Sequence, residues 1–114
     1  MKADVKRRWV KALRSGKYKQ GRQYLRQTLN GQDKFCCLGA VTDICGKRWN
    51  KGRTKLLEAG VQQVFCFRGN AGTLDGRFRA EIGLTDSEEA ILATKNDSGR
   101  WSFKRIATWI EKNL

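Results

Sequence analysis

The feature that most constrains the fold is the apolar stretch from Phe35 to Cys45. Every residue in it is apolar or small except Thr42 and Asp43. A run of this length without strict alternation of polar and apolar residues is typical of a helix buried around most of its circumference. Gly46 follows directly, and glycine commonly ends a helix. We therefore predict a central helix over residues 35–45 that the rest of the chain must cover.

The N-terminal segment predicts an amphipathic first helix. Asp4 is a suitable N-cap, and Ser15-Gly16 is a suitable end. The apolar residues Val5, Trp9 and Leu13 recur at four-residue intervals between them, which places them on one helix face. The opposite face is strongly basic.

The segments on either side of the central helix predict a small antiparallel sheet. Tyr24–Leu29 reads as a strand, Asn30-Gly31 as its turn, and Lys34-Phe35 as the returning strand. Val61–Arg68 is rich in β-branched and aromatic residues and predicts a strand buried on both sides or lying at a partner surface. The intervening segment 47–55 is interpreted as a basic loop, followed by the apolar anchors Leu56 and Leu57.

Helices account for the C-terminal third. We predict a short helix over Phe78–Ile82 closed by Gly83, and a capping box in Thr85-Asp86-Ser87-Glu88 that starts the next helix. That helix contains the apolar residues Ala90, Ile91 and Ala93, with Leu92 beside them, and is expected to end in a turn over Asn96–Gly99. Ser102 then caps a last helix with this apolar stripe: Phe103, Ile106, Ala107 and Ile110.

The fold class that follows is a small single α+β domain over residues 1–114. Four or five helices surround the central helix, and the sheet forms from residues 24–35 and 61–68. No apolar run reaches membrane-spanning length, and the basic N-terminus lacks the apolar core of a signal peptide. We expect a cytoplasmic protein without a membrane partner, in which Cys36, Cys37, Cys45 and Cys66 remain thiols.

The charge distribution is the strongest functional signal. The chain carries a net charge of +13. Residues 1–55 hold 16 Lys and Arg against three acidic residues, whereas residues 56–114 hold eight of each. Such segregation favours an anionic partner met by one face. Solubility is the competing explanation, but it does not require the charge to be segregated.

The basic half also contains aromatic residues, and this combination predicts the binding residues. Cations hold phosphates, and exposed rings stack on bases. Trp9 is assigned to the core, while Tyr18 and Trp49 are left open between core packing and base stacking. The candidate nucleic-acid-binding residues are Lys6, Arg7, Lys11, Arg14, Lys17, Tyr18, Lys19, Arg22, Arg26, Lys47, Arg48, Trp49, Lys51, Arg53 and Lys55.

The residue types give little support to catalysis or metal binding. The chain has no histidine, so a cysteine nucleophile would lack its usual base. The four cysteines form no C-x-x-C pair, which favours buried thiols over a zinc site. Glu88, Glu89, Asp97 and Glu111 could do acid–base work, but helix starts, a turn and a solvated face explain them. We expect no cofactor, no metal and no enzymatic activity.

A helix-turn-helix around Asn96–Arg100 is a further hypothesis for DNA binding. A recognition helix should present basic and amide side chains to the groove. The last helix offers Lys104, Arg105 and Lys112, but it also carries Glu111, and the preceding helix is acidic. A plain helical hairpin packed on the core is the favoured interpretation.

A set of motifs is spread over both ends and the centre of the chain: Trp9, Ala12-Leu13, Ser15-Gly16, Tyr18, Gln20, Phe35-Cys36-Cys37-Leu38-Gly39, Asp43, Gly83-Leu84, Asn96-Asp97, Gly99, Ser102-Phe103, Ile106-Ala107 and Ile110-Glu111. With these motifs the chain resembles a group of small, mostly uncharacterised proteins encoded by tailed bacteriophages and prophages. The resemblance is thin between Lys47 and Arg79. It implies a phage accessory protein made inside a bacterium, of a kind that often blunts a host machine or a host defence; no catalytic residues come with it.

The sequence thus predicts a non-enzymatic phage accessory protein of the bacterial cytoplasm. Its basic N-terminal half is expected to bind nucleic acid or a nucleotide ligand and to interfere with a host process or host defence. The alternative is a protein–protein inhibitor that docks its basic face on an acidic host protein or protein complex. Charge alone does not separate these partners.

Overall fold

Five helices and one four-stranded antiparallel sheet make up the chain in a computed structural model that describes residues 1–114. The α+β fold is therefore as predicted. No helix combines the length and apolar character needed to cross a membrane. In chain order the elements are α1 (Ala3–Arg14), β1 (Arg26–Leu29), β2 (Gln32–Phe35), α2 (Cys37–Ile44), β3 (Asn50–Leu57), β4 (Gly60–Cys66), α3 (Gly76–Ile82), α4 (Asp86–Asp97) and α5 (Phe103–Asn113).

The predicted central helix is α2, and every residue from Cys37 to Thr42 is buried. It begins two residues later than predicted, because Phe35 ends β2 and Cys36 is the N-cap. The Cys36 sulfur accepts a hydrogen bond from the Gly39 backbone N–H at 3.4 Å, so a thiol takes the place of the usual capping hydroxyl. The buried Thr42 hydroxyl donates to the carbonyl of Leu38, four residues earlier, at 2.8 Å.

Gly39 allows α2 to lie directly against the chain that enters β1. A Cβ at this position would overlap the Leu25 carbonyl oxygen and lie 3.0 Å from the Leu25 Cα. The same carbonyl accepts a hydrogen bond from the Cys36 backbone N–H at 3.2 Å. The helix and the segment that precedes β1 therefore meet backbone to backbone, a spacing that only glycine permits.

Helix α1 covers α2 with the predicted apolar face of Val5, Trp9 and Leu13. The Trp9 indole is fully buried and donates to the Cys37 carbonyl at 2.9 Å. The predicted N-cap is wrong, because Lys2 occupies that position and Asp4 lies in the first turn. A carboxylate there still favours the helix, since it faces the positive end of the helix dipole.

The sheet has the strand order β2-β1-β4-β3. The predicted hairpin is confirmed, with Asn30 and Gly31 both at positive φ, as its two-residue turn requires. Strand β1 starts at Arg26, two residues later than predicted. Strand β4 spans Gly60–Cys66, close to the predicted bounds of Val61–Arg68. Only Val64 of β4 is buried, so burial on both sides, the first of the two predicted alternatives, is wrong, and a partner surface stays a prediction.

The segment interpreted as a basic loop forms most of a fourth strand. Asn50–Leu57 pairs with β4, with a bulge between Lys51 and Thr54. All eight residues of β3 are exposed, which explains why no alternation marks the strand in the sequence. Leu56 is 81% exposed and Leu57 38% exposed, so they are not the predicted apolar anchors.

The C-terminal helices begin and end largely as predicted. Gly83 ends α3 at positive φ, the capping box of Thr85 and Glu88 makes both of its hydrogen bonds, and Ser102 caps α5. The apolar stripe of α5 is buried as predicted.

Helix α4 has a partly polar buried face. Glu89, Leu92 and Asn96 are buried, whereas Ile91 is 43% exposed. The Glu89 carboxylate lies in the interior because it accepts hydrogen bonds from the Leu74 backbone N–H and the Arg79 guanidinium. Asn96 is helical and fully buried, so the predicted turn starts only after Asp97.

Substituting Gly39 tests the close approach of α2 to β1. We expect Gly39→Ala to destabilise the fold by more than about 3 kcal/mol, because the overlap with backbone can be relieved only by moving α2 or β1. Gly76→Ala is the matched control, since a Cβ at Gly76 meets no atom within 4 Å. Urea denaturation followed by circular dichroism measures both. Equal stability of the two variants would contradict the backbone contact.

Candidate nucleic-acid interface

A single carboxylate joins two of the basic segments. Asp43, near the C-terminal end of α2, accepts the Tyr18 hydroxyl at 2.6 Å on one oxygen and the Trp49 indole N–H at 3.0 Å on the other. The Phe35 ring lies beside both aromatic rings, with centroid distances of 5.0 Å to Tyr18 and 6.3 Å to Trp49. We call these four residues the Asp43 cluster.

The cluster decides the role of the two rings that the sequence left open. Tyr18 is buried and packs edge-on against Phe35, so core packing is the one of its two open alternatives that the structure favours. Burial and the bond to Asp43 raise the pKa of the Tyr18 hydroxyl well above its ordinary value. Trp49 is half-buried and its N–H is occupied by Asp43, so only part of its ring faces solvent.

The cluster brings together cations from both segments. Lys17 and Lys19 are exposed on either side of Tyr18, and Arg48 is exposed beside Trp49. The chain then continues directly into β3. We define the basic edge as Lys17, Lys19, Arg48, Lys51, Arg53 and Lys55.

The bulge in β3 distributes its cations over both faces of the sheet. Lys51 lies opposite Phe65 and Lys55 lies opposite Gln62 in the β3–β4 register. Phe65 and Gln62 are three residues apart and so project from opposite faces of β4. The two lysines therefore project from opposite faces as well, with Arg53 in the bulge between them.

Three predicted binding residues are paired with carboxylates. Arg14 bonds to Glu111 at 3.0 Å and Lys47 to Glu81 at 3.4 Å. Arg26 bonds to Asp33 at 3.0 Å and lies over the Phe65 ring at 4.2 Å. Their charge is partly neutralised within the protein, which makes them weaker anchors for a phosphate than unpaired cations.

The α1 residues form a separate surface. Lys6, Arg7, Lys11 and Arg14 line an open groove of about 710 Å³ between α1 and α5, with Glu111 as its carboxylate. This groove is built by packing of α1 on α5, whereas the Asp43 cluster lies at the end of α2. The predicted binding residues thus fall on more than one surface instead of one continuous face.

Arg22 belongs to neither surface. Its guanidinium lies against Gly99, where an added Cβ would be 2.8 Å from a guanidinium nitrogen. It lines depressions together with Lys34 and Arg100, two cations that the sequence analysis did not select. Residues 22 and 99 are far apart along the chain and nothing local in the sequence links them. The sequence analysis therefore did not predict that these cations lie together.

Most of the positive charge has no internal partner. The chain has 24 Lys and Arg residues. Five of them form ion pairs within 4.0 Å, namely Arg14, Arg26, Lys47, Arg68 and Arg79. The remaining 19 cations have no carboxylate at that distance, and such a surface favours polyanions.

Comparison with known proteins identifies a family. A family model described as a domain of unknown function, DUF8296, matches residues 1–114. The chain belongs to the DUF8296 family. Comparisons with curated proteins and with solved structures gave no match.

The groups that might carry chemistry in this DUF8296 domain are engaged structurally. Glu88 completes a capping box, Glu111 pairs with Arg14, and Asp97 accepts the Gln23 backbone N–H at 3.0 Å. The structure has no group of three or more Cys, Asp or Glu residues that could hold a metal ion. Cys36 and Cys37 are buried free thiols, while Cys45 and Cys66 are half-buried.

The role of Tyr18 can be tested through stability. Tyr18→Phe removes the hydroxyl that Asp43 accepts, and hydrogen bonds to a charged group contribute about 1.5–3 kcal/mol. We expect a loss of that size in the free energy of unfolding, measured by urea denaturation. Tyr24→Phe is the control, because the Tyr24 hydroxyl makes no hydrogen bond within the protein. If Tyr18→Phe leaves the free energy of unfolding unchanged, the cluster does not hold the two segments together.

The buried thiols should resist alkylation. Burial raises the pKa of Cys36 to about 12 and that of Cys37 well above its ordinary value. At pH 8 both therefore remain protonated in the folded protein, and only thiolates react rapidly. We expect iodoacetamide to leave these two unmodified until urea unfolds the chain, as read by mass spectrometry. Rapid modification of either in the native protein would contradict the burial of the α2 N-terminus.

Proposed function

We propose that the protein is a non-enzymatic nucleic-acid-binding protein that contacts the phosphate backbone through the basic edge. The observation that carries the proposal is strand β3. Its eight residues are all exposed, and Lys51, Arg53 and Lys55 have no carboxylate partner. Between residues 50 and 67, Glu58 is the one acidic residue.

Phosphate binding is the chemistry that such a strand supports. Each phosphate that a cation neutralises releases condensed counterions, and this release favours binding at low salt. Strand β3 lies at the edge of the sheet, and its bulge places Lys51 and Lys55 on opposite faces with Arg53 between them, so β3 presents a row of charges around that edge and not on a single face. The Asp43 cluster holds Lys17, Lys19 and Arg48 next to the start of that row.

The biological setting is part of the proposal and is supported by the resemblance to phage and prophage proteins. In that setting the protein would act in the cytoplasm of a bacterial host. Binding host or phage nucleic acid would allow it to interfere with a host process or host defence.

The tip of the β3–β4 hairpin favours a second candidate function. Leu56 and Val61 face each other across the hairpin and are 81% and 46% exposed. Exposed apolar side chains beside unpaired cations suit a protein partner with an apolar pocket and an acidic rim. In this candidate the protein inhibits an acidic host protein by docking β3 and the hairpin tip.

Charge reversal on β3 tests the first candidate. The triple variant of Lys51, Arg53 and Lys55 to Glu should weaken binding to duplex or single-stranded oligonucleotides. It should also flatten the slope of log affinity against log salt by about 2 to 3, because each phosphate contact contributes about 0.7 to 0.9. Fluorescence anisotropy between low and moderate salt measures both quantities.

The matched control reverses the same number of charges elsewhere. Arg77, Lys104 and Lys112 are exposed, have no carboxylate partner and lie outside the basic edge. Their reversal to Glu gives the same net charge and should leave most of the binding intact. If both triple variants lose affinity equally, net charge and not β3 governs binding. If the unmodified protein binds no nucleic acid at low salt, the protein-inhibitor candidate replaces the first.

A further inference from the structure

The outer face of the sheet carries a polar groove that the basic edge does not include. A depression of about 400 Å³ is bounded by the loop Gln20–Arg22 and by side chains of all four strands. Beyond Arg22 a second depression of about 300 Å³ continues along the loop 99–102. Gln20 and Arg22 line both, and we call the two neighbouring depressions together the amide groove. We propose that the amide groove is a binding site for a nucleoside phosphate.

Three glutamine side chains give the groove fixed hydrogen-bonding directions. The Gln27 amide N–H₂ donates to the Arg22 carbonyl at 2.9 Å, and the Gln62 amide N–H₂ donates to the Gln27 Oε1 at 2.7 Å. The Gln20 amide N–H₂ donates to the Asn96 Oδ1 at 3.2 Å and to the Trp101 carbonyl at 2.9 Å.

These bonds leave two acceptors without a protein donor. The donor ends of Gln20 and Gln62 are occupied by protein, while their Oε1 atoms accept no hydrogen bond from the protein. Amide oxygens held in this way suit the N–H groups on the edge of a nucleobase.

The cations of the groove supply the complementary site for a phosphate. Arg22, Lys34 and Arg100 line it without a carboxylate within 4.0 Å. No Asp or Glu lines either depression. Lys55 lies opposite Gln62 in the strand register and adds charge at the rim. A guanidinium binds phosphate oxygens through two parallel N–H bonds, which makes arginine well suited to this role.

The groove also offers apolar surface that the faces of a nucleobase can contact. Leu29 and Leu57 lie at the strand end of the groove and supply the apolar contact for a base. The half-buried Trp101 lies at the other end, but Lys95 and Arg105 already lie over its ring at 3.8 Å and 4.0 Å from the centroid. A base needs apolar contact for its faces and polar contact for its edge, and the groove offers both. Its volume is within the range of small-molecule sites. A free nucleotide and one nucleotide of a single strand present the same chemistry.

The amide groove can be tested by calorimetric titration of the full chain with nucleoside monophosphates at low salt. Inorganic phosphate and unphosphorylated nucleosides are the comparison ligands. We expect the monophosphates to bind more tightly than either comparison ligand. Lys34→Ala and Gln62→Met should each weaken monophosphate binding roughly tenfold, because each removes a charged or fixed hydrogen-bonding partner.

Two controls separate loss of the site from loss of the fold. Both variants should keep the melting temperature of the unmodified protein, since Lys34→Ala retains the Cβ that packs on Gly21. Lys104→Ala removes an exposed cation outside the groove and should bind monophosphates normally. If phosphate binds as tightly as the monophosphates, or if neither groove variant weakens binding, the proposal is wrong.

Further titrations identify the source of the nucleotide and distinguish this site from the basic edge. These titrations use the protein with Lys51 and Arg53 reversed to Glu, which weakens binding at the basic edge. A single-stranded oligonucleotide that binds this variant more tightly than a monophosphate, and loses that margin when Arg100→Ala is added, indicates a strand. Equal binding indicates a free nucleotide. Lys55 belongs to the basic edge and also lies at the rim of the amide groove, so it is left unchanged here. Reversing Lys51 and Arg53 alone should leave monophosphate binding unchanged, which separates the amide groove from the rest of the basic edge.

Discussion

The fold depends on one backbone contact, the approach of Gly39 in α2 to Leu25 before β1. The Leu25 N–H donates to the Ala71 carbonyl at 2.7 Å, and its carbonyl accepts from the Cys36 N–H. This residue therefore ties the loop after β4, the entry to the sheet and the start of α2 together. The glycine lets α2 lie against the backbone of Leu25, directly before β1, and α1 covers α2 with Trp9.

A buried amide links this core to the amide groove. The Asn96 Oδ1 accepts from the Cys37 backbone N–H at 3.1 Å and from Gln20, and its amide N–H₂ donates to the Gly21 carbonyl at 2.8 Å. A buried polar group costs about 1–3 kcal/mol when left unpaired, and no buried side-chain polar atom in this protein lacks a partner. The same residue thus holds α4 on α2 and positions the wall of the groove.

The sequence predicted those elements whose burial imposes a pattern. The apolar face of α1, the continuous apolar run of α2 and the turn at Asn30-Gly31 are local signals, and the structure contains all three. Strand β3 has no buried face, so no periodicity marked it. Asp43 and Asn96 were read as a break in an apolar run and as a turn, because their partners lie far away along the chain. Long-range polar pairs leave no spacing that a single sequence reveals.

The Asp43 cluster also bears on the thermodynamics of association. Because one carboxylate is shared by Tyr18 and Trp49, the backbone on both sides of the basic edge is ordered before any ligand arrives. A loop that must become ordered on binding loses conformational entropy, and that loss is subtracted from the affinity. Here the ordering has already taken place during folding. The entropic cost of association then falls mainly on the flexible stems of the lysine and arginine side chains.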